Sequence, residues 1–450
     1  MTAPASIRPP AFRYRGPISE LDAPTRRLLM ERAGSAADPT VRDRTAQILE
    51  RVRQGGDGAV LALTRAIDNI TLESFEVPRT HWTRAFNALE PQLRTAMEHA
   101  ARNIQAAHEA FKPRPVEFSP EPGIVIGRRP DPLPRVGIYA PGGKAAYPSS
   151  LLMGAIPARV AGVQEVIVCS PPTPRGVPSD VVCAAAALAG VDRLFAVGGA
   201  VAVGAMAFGT RTVPRVSRIV GPGNAYVAEA KKQVSGFCGI DSPAGPSELL
   251  VIADFTAPPA AVARELLAQA EHDADAAVIA IFVGDTAQAE ELRARVEEEL
   301  ALQAQRMPRI EVIRKALATR GALLTAPDYV DAVAFANSWA AEHLTLMVME
   351  PVRADLLAAI RGAGAVFVGE HSAVAFGDYM TGSNHVLPTG GAGQLHSGLS
   401  TQDFVRWTSW QTVTQDAAMR LAQDVALFAD AEGLPGHAAA ARSFLPEGLA

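Results

Sequence analysis

The sequence predicts an α/β protein with two successive, incomplete Rossmann-like parallel-sheet units, a helical N-terminal arm and a C-terminal helical extension. From about residue 128, short apolar runs alternate with helix-length segments, a pattern typical of a doubly wound parallel sheet. A second series of the same kind begins at Leu249. Helical periodicity dominates residues 40–68 near one end and 415–431 near the other.

Composition narrows the class of protein. The 450 residues are 48% hydrophobic, enough for two or more domains. A balance of 42 basic against 47 acidic residues, net charge −5, argues against a nucleic-acid surface. Cys169, Cys183 and Cys238 cannot build a disulfide framework or a cysteine zinc site. Without a signal pattern or a run of about 18 apolar residues, we expect a cytoplasmic protein that does not engage a membrane.

The N-terminal region is predicted to be an arm followed by helices. Residues 1–35 are rich in Pro and Arg and need a surface to lie against. Residues 40–68 and 81–111 have helical periodicity. Three histidines in the second segment are predicted to lie on the surface, namely His81, His99 and His108.

The first α/β series contains strands at 136–139, 165–169 and 193–197, with helices at 149–161 and 179–189. Glycine-rich turns follow its strands at 139–144, 197–200 and 221–224. Such turns bring backbone amides to an anionic ligand at a helix N-terminus, and Lys144 would add positive charge. The same glycines also serve a tight turn, so both interpretations remain open. No GxGxxG fingerprint with a later carboxylate is present.

The second series places a polar helix end beside a buried strand. Strands are predicted at 249–253, 277–283, 344–348 and 365–368, with a helix at 288–305. Between the first two strands, Thr256 as a cap and Pro258 open a helix. Gln269 and His272 lie three residues apart near its end and share a face. They are either two metal ligands or an ordinary solvated helix end.

An acid and an imidazole, Glu342 and His343, begin the buried run 344–348. This pair suits general acid–base catalysis at an active-site rim. Neighbours in a strand point in opposite directions, so both serve one site only if the backbone is irregular there. The alternative is a surface pair.

Two later segments carry further candidate ligands. Asp378 and His385 lie in a loop, 378–398, crowded with Gly, Ser, Thr, Asn and Pro, and Glu432 and His437 lie where the terminal helix breaks. A mixed nitrogen and oxygen set suitable for zinc can be drawn from these segments and the helix end: Gln269, His272, Asp378 and His437. Spacing alone leaves their convergence open. The terminal extension is expected to pack on a second subunit.

Ordered motifs identify a family resemblance. Residues 239–272 resemble the signature of the histidinol dehydrogenases, with SPAGPSE before the apolar strand and QAEH at the helix end. The resemblance continues through IYAPGGKAAYPSS, VGGA, GPGNAYVAEAK, AEHL, GDYMTGSNHVLPT, SGLS and AEGLPGH. It covers about residues 30 to 445.

The resemblance implies an NAD-dependent, four-electron oxidation of L-histidinol through L-histidinal to L-histidine, the last two steps of histidine biosynthesis. It also implies a homodimer with shared active sites and one Zn²⁺ per subunit, bound by Gln269, His272 and Asp378, with His437 of the partner subunit. Glu342 and His343 resemble the catalytic pair: His343 would take the alcohol proton, and Glu342 would activate the water that attacks the aldehyde.

The resemblance implies the remaining site residues as well. NAD contacts fall on Tyr139 and Asn224. Substrate contacts fall on a wider set that includes the zinc ligands: Ser149, Ser247, Gln269, His272, His343, Asp378, His385, Glu432 and His437. Val201 departs from the family, which usually has a glutamine there near the nicotinamide cofactor, and GGAGQLHSGLS also departs from its common wording.

The implied domain organisation has four parts. Residues 30–138 with 248–399 form the first α/β domain, which carries the zinc and catalytic residues. Residues 139–247 form the second, on the NAD side. Residues 1–29 with 400–424 form a dimerisation arm, and 425–450 a helical domain that reaches the partner.

Two other functions compete with this interpretation. A paralogue could keep the zinc and NAD apparatus and oxidise another polar alcohol, such as a sulfonated diol. Glu432 disfavours that substrate, since a carboxylate repels a sulfonate. A non-catalytic binding protein could keep the fold alone, but it would not need both Glu342 and His343.

Overall fold

Apolar runs bounded by turn residues form the strands of three sheets in the computed structural model, which describes residues 10–32, 38–142, 146–242 and 245–446. In chain order the strands are β1 Tyr14–Pro17, β2 Val116–Phe118, β3 Ile124–Pro132, β4 Arg135–Tyr139, β5 Glu165–Ser170, β6 Arg193–Ala196, β7 Arg218–Val220, β8 Gly239–Ile240, β9 Glu248–Asp254, β10 Ala277–Val283, β11 Gly321–Ala326, β12 His343–Met347, β13 Ala365–Val368 and β14 Val405–Val413.

Helices connect most of these strands. In chain order they are α1 Ala23–Met30, α2 Pro39–Asp68, α3 Arg79–Asn87, α4 Pro91–Ala110, α5 Pro148–Ala161, α6 Asp180–Leu188, α7 Gly199–Phe208, α8 Ala225–Val234, α9 Pro259–Ala270, α10 Thr286–Ala304, α11 Ile310–Arg320, α12 Tyr329–Trp339, α13 Glu350–Ala359, α14 Val374–Tyr379, α15 Gln415–Ala431 and α16 Pro435–Arg442. Among the described helices, none combines the length and apolar character that a membrane crossing requires.

The first sheet is parallel, with the order β1-β11-β10-β9-β12-β13. Every residue of β9 and β10 is buried, because helices cover both faces of the sheet. One face packs against α9, α10 and α11, and the other against α12. The sheet thus presents the starts of β9 and β12 side by side, with His343 opposite Leu249.

The second sheet is also parallel, with the order β6-β5-β4-β7-β8. The chain runs outward from β4 to β6 on one side and then continues at β7 on the other. Ligands in open α/β sheets bind at such a switch in strand order, outside the carboxyl ends of the strands. Two successive parallel sheets confirm the predicted fold class.

Contact density divides the chain into two compact units. The first comprises the described residues of Met1–Phe111 with Pro134–Phe404, and holds both parallel sheets. The second comprises 112–133 with the described residues from 405 onward. It contains the antiparallel sheet β14-β3-β2 and the α15–α16 pair, which packs through Ala426, Ala429 and Ala438. The predicted four-part division stays a prediction.

Several local predictions differ from the structure. Residues 81–111 are not one helix, because the chain turns before Pro91 and starts α4 there. Thr256 does not cap α9; its amide and hydroxyl bond to Asp254, and the helix begins at Pro259. His108 is buried, with Nδ1 2.9 Å from the Ile104 carbonyl oxygen, so its predicted surface position is wrong.

Candidate active site

An irregular turn brings Glu342 and His343 together at the amino end of β12. Helix α12 ends at Trp339, and Ala340 then adopts a left-handed conformation with φ of 50°. Glu342 precedes the strand, which starts at His343. The Oε2 atom of Glu342 lies 3.6 Å from Nδ1 of His343. The backbone irregularity required by the sequence analysis is therefore present, and because both residues are buried, the surface-pair alternative is wrong.

The backbone of Glu248, the first residue of β9, holds both side chains. Its N–H donates to Glu342 Oε2 at 2.7 Å, and its carbonyl oxygen lies 3.1 Å from His343 Nδ1. Because a carbonyl oxygen can only accept, Nδ1 must carry the hydrogen in this contact. Nε2 of His343 is then the ring atom left for proton transfer. It has no hydrogen-bond partner among the described residues and lies 3.6 Å from Asp378 Oδ1.

Burial and charge shift the pKa of both groups. Burial raises the pKa of Glu342 to about 7, against the attraction of His343 and the hydrogen bond from Glu248. Burial alone would lower the pKa of His343, but the Glu342 and Asp378 carboxylates outweigh it and raise that pKa to about 9. A carboxyl group with a pKa near 7 lies in the range where a general acid–base catalyst is most effective.

Asp378 lies in the last turn of α14, beside three imidazoles. Burial would raise the pKa of Asp378, but the neighbouring His343 imidazole, together with those of His385 and His272, lowers it. His385 Nδ1 lies 2.9 Å from the Asp378 carbonyl oxygen, which fixes the ring. The carboxylate is thus ionised, and this part of the site attracts cations.

Ser150 is a site residue that sequence reasoning missed. Its Oγ lies 3.1 Å from His385 Nε2, and it is buried at the start of α5. The predicted Ser149 is its half-buried neighbour. The sequence shows two adjacent serines at a helix start, and no spacing argument distinguishes them. Asn384 reinforces the contact by donating to the Met153 carbonyl oxygen at 2.7 Å, which ties this loop to α5.

Gln269 and His272 end the α9 segment close to Asp378. Gln269 is buried in the last helical turn, and its Nε2 has no hydrogen-bond partner among the described residues. His272 lies just beyond the helix, with its amide 3.3 Å from the Gln269 carbonyl oxygen. The residue keeps solvent-accessible surface although protein atoms surround its ring. Desolvation of its ring lowers the pKa of His272, while Asp378 opposes that shift. A neutral imidazole is the form that binds a metal.

The described residues contain no group of three or more His, Cys, Asp and Glu side chains that could hold a metal ion by themselves. A four-coordinate zinc bound by His272 and Asp378 would also need an amide oxygen, such as that of Gln269, and a fourth ligand from elsewhere. The buried Gln269 amide without a partner fits that requirement, since exchanging its O and N assignment aims an acceptor into the site. An amide oxygen, an imidazole and a carboxylate are suitable donors for Zn²⁺.

The remaining predicted substrate contacts are divided between the units. Ser247, half-buried, directly precedes β9 in the first unit. Glu432 and His437 are exposed in the second unit, Glu432 at the end of α15 and His437 in the first turn of α16. Their roles stay predictions.

A cleft of about 1170 Å³ lies at the carboxyl edge of the second sheet. Its lining includes Tyr139 at the end of β4, Gly198 and Gly199 after β6, and Asn224 after β7. The Gly199 N–H donates to Tyr139 Oη at 3.1 Å. Burial raises the pKa of Tyr139 to about 12, so its phenol remains a neutral donor at physiological pH. Both residues predicted to contact NAD therefore line one cleft.

Asn224 starts the helix that borders this cleft. Its Oδ1 accepts from the amides of Tyr226 and Val227, at 3.0 and 3.2 Å, and so caps α8. The amide nitrogen remains available to a ligand. Val201, the residue that departs from the family pattern, also lines the cleft. The predicted contribution of Lys144 lies outside the described residues.

A buried ion pair beneath Gly221 escaped the sequence reasoning. Lys231 Nζ donates to the Gly221 carbonyl oxygen at 3.0 Å and to the Asp241 carboxylate, and that carboxylate accepts from the Gly221 N–H at 2.7 Å. Gly221 has φ of 118°, and a Cβ there would collide with the Tyr139 carbonyl oxygen. The pair thus fixes the turn that leads to Asn224.

The chain is similar to known proteins over most of its length. The family model described as histidinol dehydrogenase matches residues 31–444. The chain is 40% identical to a histidinol dehydrogenase of Methanosarcina barkeri, over 95% of this chain and 96% of that protein. It is 45% identical to that of Bordetella parapertussis, over 90% and 91% of the two chains.

A solved structure shares the architecture. The crystal structure of histidinol dehydrogenase from Elizabethkingia anophelis superposes with a TM-score of 0.90 at 32% identity, and the match covers 96% of this chain and 98% of that one. Both the sequence and the fold of this chain therefore match those of histidinol dehydrogenases over nearly its whole length.

Proposed function

Because the chain belongs to the histidinol dehydrogenase family, an oxidoreductase family of histidine biosynthesis, we propose that it oxidises L-histidinol through L-histidinal to L-histidine with NAD. The reaction consumes one water and two NAD⁺ and yields two NADH and three protons. The observation that carries the proposal is the buried Glu342–His343 pair, whose two side chains are held by one residue of β9.

His343 is proposed to serve the alcohol step. With Nδ1 bonded to the Glu248 carbonyl, Nε2 accepts the hydroxyl proton while the carbon-bound hydrogen leaves as hydride for NAD. Burial excludes water from this atom, so proton transfer is directed to the bound substrate. With its pKa raised to about 9 the His343 ring is mostly protonated at neutral pH, so the neutral form that accepts the alcohol proton becomes more abundant as pH rises.

Glu342 is proposed to serve the aldehyde step. Its carboxylate would take a proton from the water that attacks the aldehyde, and a second hydride then leaves from the hydrated carbon. The pKa of about 7 makes Glu342 a far stronger base than an ordinary glutamate, and about half of it is ionised at neutral pH. A buried site also keeps the reactive aldehyde bound between the two steps.

Zinc is proposed to be held by Gln269, His272 and Asp378, with His437 of the partner subunit, one ion in each subunit of a homodimer. Its positive charge would fix the substrate amine and imidazole nitrogens and so orient the alcohol carbon. Ser149, Ser247, His385 and Glu432 are proposed to surround the substrate, and Ser150 to orient His385. Tyr139 and Asn224 are proposed to contact NAD.

The direct test is NADH production by the purified, zinc-loaded protein offered L-histidinol. Two NADH per histidinol, with histidine as product, are expected. Turnover of another polar alcohol but not of histidinol would refute the proposed substrate and favour a paralogous dehydrogenase.

A further inference from the structure

Arg32 is a buried charge in the catalytic unit to which the proposed chemistry gives no role. Its side chain and that of Glu248 are 2% and 1% exposed. Arg32 Nε donates to Glu248 Oε1 at 2.7 Å, and Nη2 donates to the Trp339 carbonyl oxygen at 2.5 Å. The guanidinium also stacks 4.0 Å from the centroid of the Trp339 ring. Buried ion pairs contribute little net stability, so the placement of this one matters more than its strength.

The Arg32–Glu248 pair joins three segments that carry site residues. The Trp339 carbonyl ends α12, three residues before Glu342. The Gly390 N–H donates to Glu248 Oε1 at 2.7 Å and belongs to the loop that carries His385. The third segment is the start of β9, where the Glu248 backbone bonds to both catalytic side chains. A single guanidinium therefore fixes the backbone positions on which Glu342 and His343 depend.

We propose that Arg32 and Glu248 are positioning residues for the catalytic pair. Arg32 locks the end of α12 to the Glu248 side chain, and the Glu248 backbone then sets the Glu342 carboxylate and the His343 ring. This inference rests on the proposed function. It also gives Arg32, near the start of the predicted first α/β domain, a role in the active site of its own subunit.

A positioning role and a purely structural role have different kinetic signatures. Small displacements of catalytic groups lower the rate of the chemical steps without changing ligands bound elsewhere. Loss of general stability lowers the folded fraction instead, so the thermal midpoint falls while kcat per folded molecule is kept. Among the described residues, neither the cleft lining nor the proposed zinc ligands hydrogen-bond to Arg32, so the KM for NAD and the zinc content serve as internal references.

The test uses the full-length, zinc-loaded protein with Arg32→Met and Arg32→Lys. We expect Arg32→Met to lower kcat for histidinol about 100-fold, since a shift of about 1 Å costs that much. The KM for NAD and the zinc per chain should stay within about twofold of wild type on the same reasoning. Lysine keeps the charge but not the planar fork, so Arg32→Lys should recover part of the loss.

Arg159→Met is the matched control. Arg159 also clamps backbone, donating to the Gly190 carbonyl and to Asp192 beside the second sheet. It should lower the thermal midpoint and leave kcat unchanged. A folded Arg32→Met with wild-type kcat would overturn the inference, as would an equal loss of kcat in Arg159→Met.

Glu248→Gln provides a second variant if Arg32→Met does not fold. Glutamine keeps an oxygen that can accept from both Gly390 and Arg32 but removes the negative charge, which weakens the bond to the guanidinium most. We therefore expect kcat to fall about tenfold with the KM for NAD unchanged. Unchanged kcat in this variant would also overturn the inference. Failure of the proposed function looks different, because the wild type itself would then not oxidise histidinol.

Discussion

The two parallel sheets of the first unit are used at opposite edges. The proposed catalytic pair, Glu342 and His343, lies at the amino ends of β9 and β12 in the first sheet, whereas the cleft lies at the carboxyl ends of β4, β6 and β7 in the second. The carboxyl edge is where open α/β sheets ordinarily bind ligands. The same architecture therefore supplies two sites of different chemical character.

Helix ends account for the difference. Helices α9 and α12 terminate at the amino edge of the first sheet, the catalytic edge, which carries the proposed pair Glu342 and His343. The carbonyl groups of a helix C-terminus carry partial negative charge. At the cleft α7 and α8 begin, and N-terminal amides carry partial positive charge. The first arrangement favours a metal cation near Asp378, and the second favours the phosphates of a dinucleotide.

The largest expected effect separates the two regions completely. His272→Ala removes a proposed zinc ligand at the catalytic edge and should abolish bound zinc and histidinol oxidation together. Losing one ligand typically leaves too few donors for a four-coordinate site. Metal analysis and NADH release measure the two losses, while fluorescence titration should find NAD binding intact. A variant that keeps its zinc yet loses activity would contradict the assignment of His272.

The next effect is confined to the catalytic edge. Glu342→Gln keeps the shape of the side chain and its acceptor for the Glu248 N–H, but it cannot take a proton from water. Loss of a general base typically costs about 100-fold or more, so aldehyde oxidation should slow by that much. Supplying L-histidinal directly isolates this step.

Alcohol oxidation is the matched comparison for this variant, since His343 keeps its Nδ1 contact with the Glu248 carbonyl. If the glutamine variant stopped the alcohol step alone, the role proposed for Glu342 would be wrong.

A substitution near the cleft should change the KM for NAD and not kcat. Lys231→Met removes the donor that holds the Gly221 carbonyl, and the turn leading to Asn224 loses one of its two anchors. We expect the KM for NAD to rise about tenfold, the weight of one charge-assisted hydrogen bond, with zinc content and saturating kcat retained. Steady-state kinetics at varied NAD provide the measurement. A fall in zinc content instead would show that the two edges are coupled.

Adding Asp241→Asn to Lys231→Met is the stability control. Removing Lys231 alone leaves a buried, unpaired carboxylate, which is strongly destabilising, whereas neutralising both partners is often tolerated. The double variant should therefore unfold at a higher temperature than the single variant and still bind NAD weakly.

The strands and turns of the two sheets differ in how well the sequence pattern predicts them. Most strands of the parallel sheets were predictable because they are apolar runs separated by helix-length segments, and β9 was expected as a buried strand. Strands β7, β8 and β11 were not predicted. Strand β1 was missed because YRGP has no apolar alternation; it forms by pairing with β11. The convergence of Glu342 and His343 depends on a left-handed Ala340, and alanine gives no signal for that conformation.

The candidate site was less predictable than the fold for the same kind of reason. Residue chemistry alone selects Gln269, His272 and Asp378 as candidate ligands, but only the motif resemblance implies that they bind one ion, since spacing cannot show which distant residues meet. It did not indicate Ser150, Arg32 or Lys231, whose roles depend on contacts with residues far along the chain. Local pattern reveals periodicity and motif, whereas long-range hydrogen bonds appear only in the folded chain.

The smallest expected effect is a difference in pH dependence between the two regions. Glu342 must be ionised to accept a proton from water, and burial raises its pKa to about 7. A bound cation nearby can only favour the ionised form, so aldehyde oxidation should rise with pH through a midpoint at or below about 7. Tyr139, whose pKa is raised to about 12, does not titrate there. The KM for NAD should accordingly stay flat between about pH 7 and 9, where neither Tyr139 nor Asn224 changes charge.

Rate profiles of L-histidinal oxidation by the zinc-loaded protein measure that midpoint, and Glu342→Gln should lose it. A midpoint well above pH 7, or one that persists in the glutamine variant, would assign the titration to another group, with His343 the first to examine because its raised pKa lies near 9. If the KM for NAD changed with the same midpoint, ionisation of Glu342 in the first sheet would be coupled to cofactor binding in the cleft of the second. The separation between the two regions would then be structural but not functional.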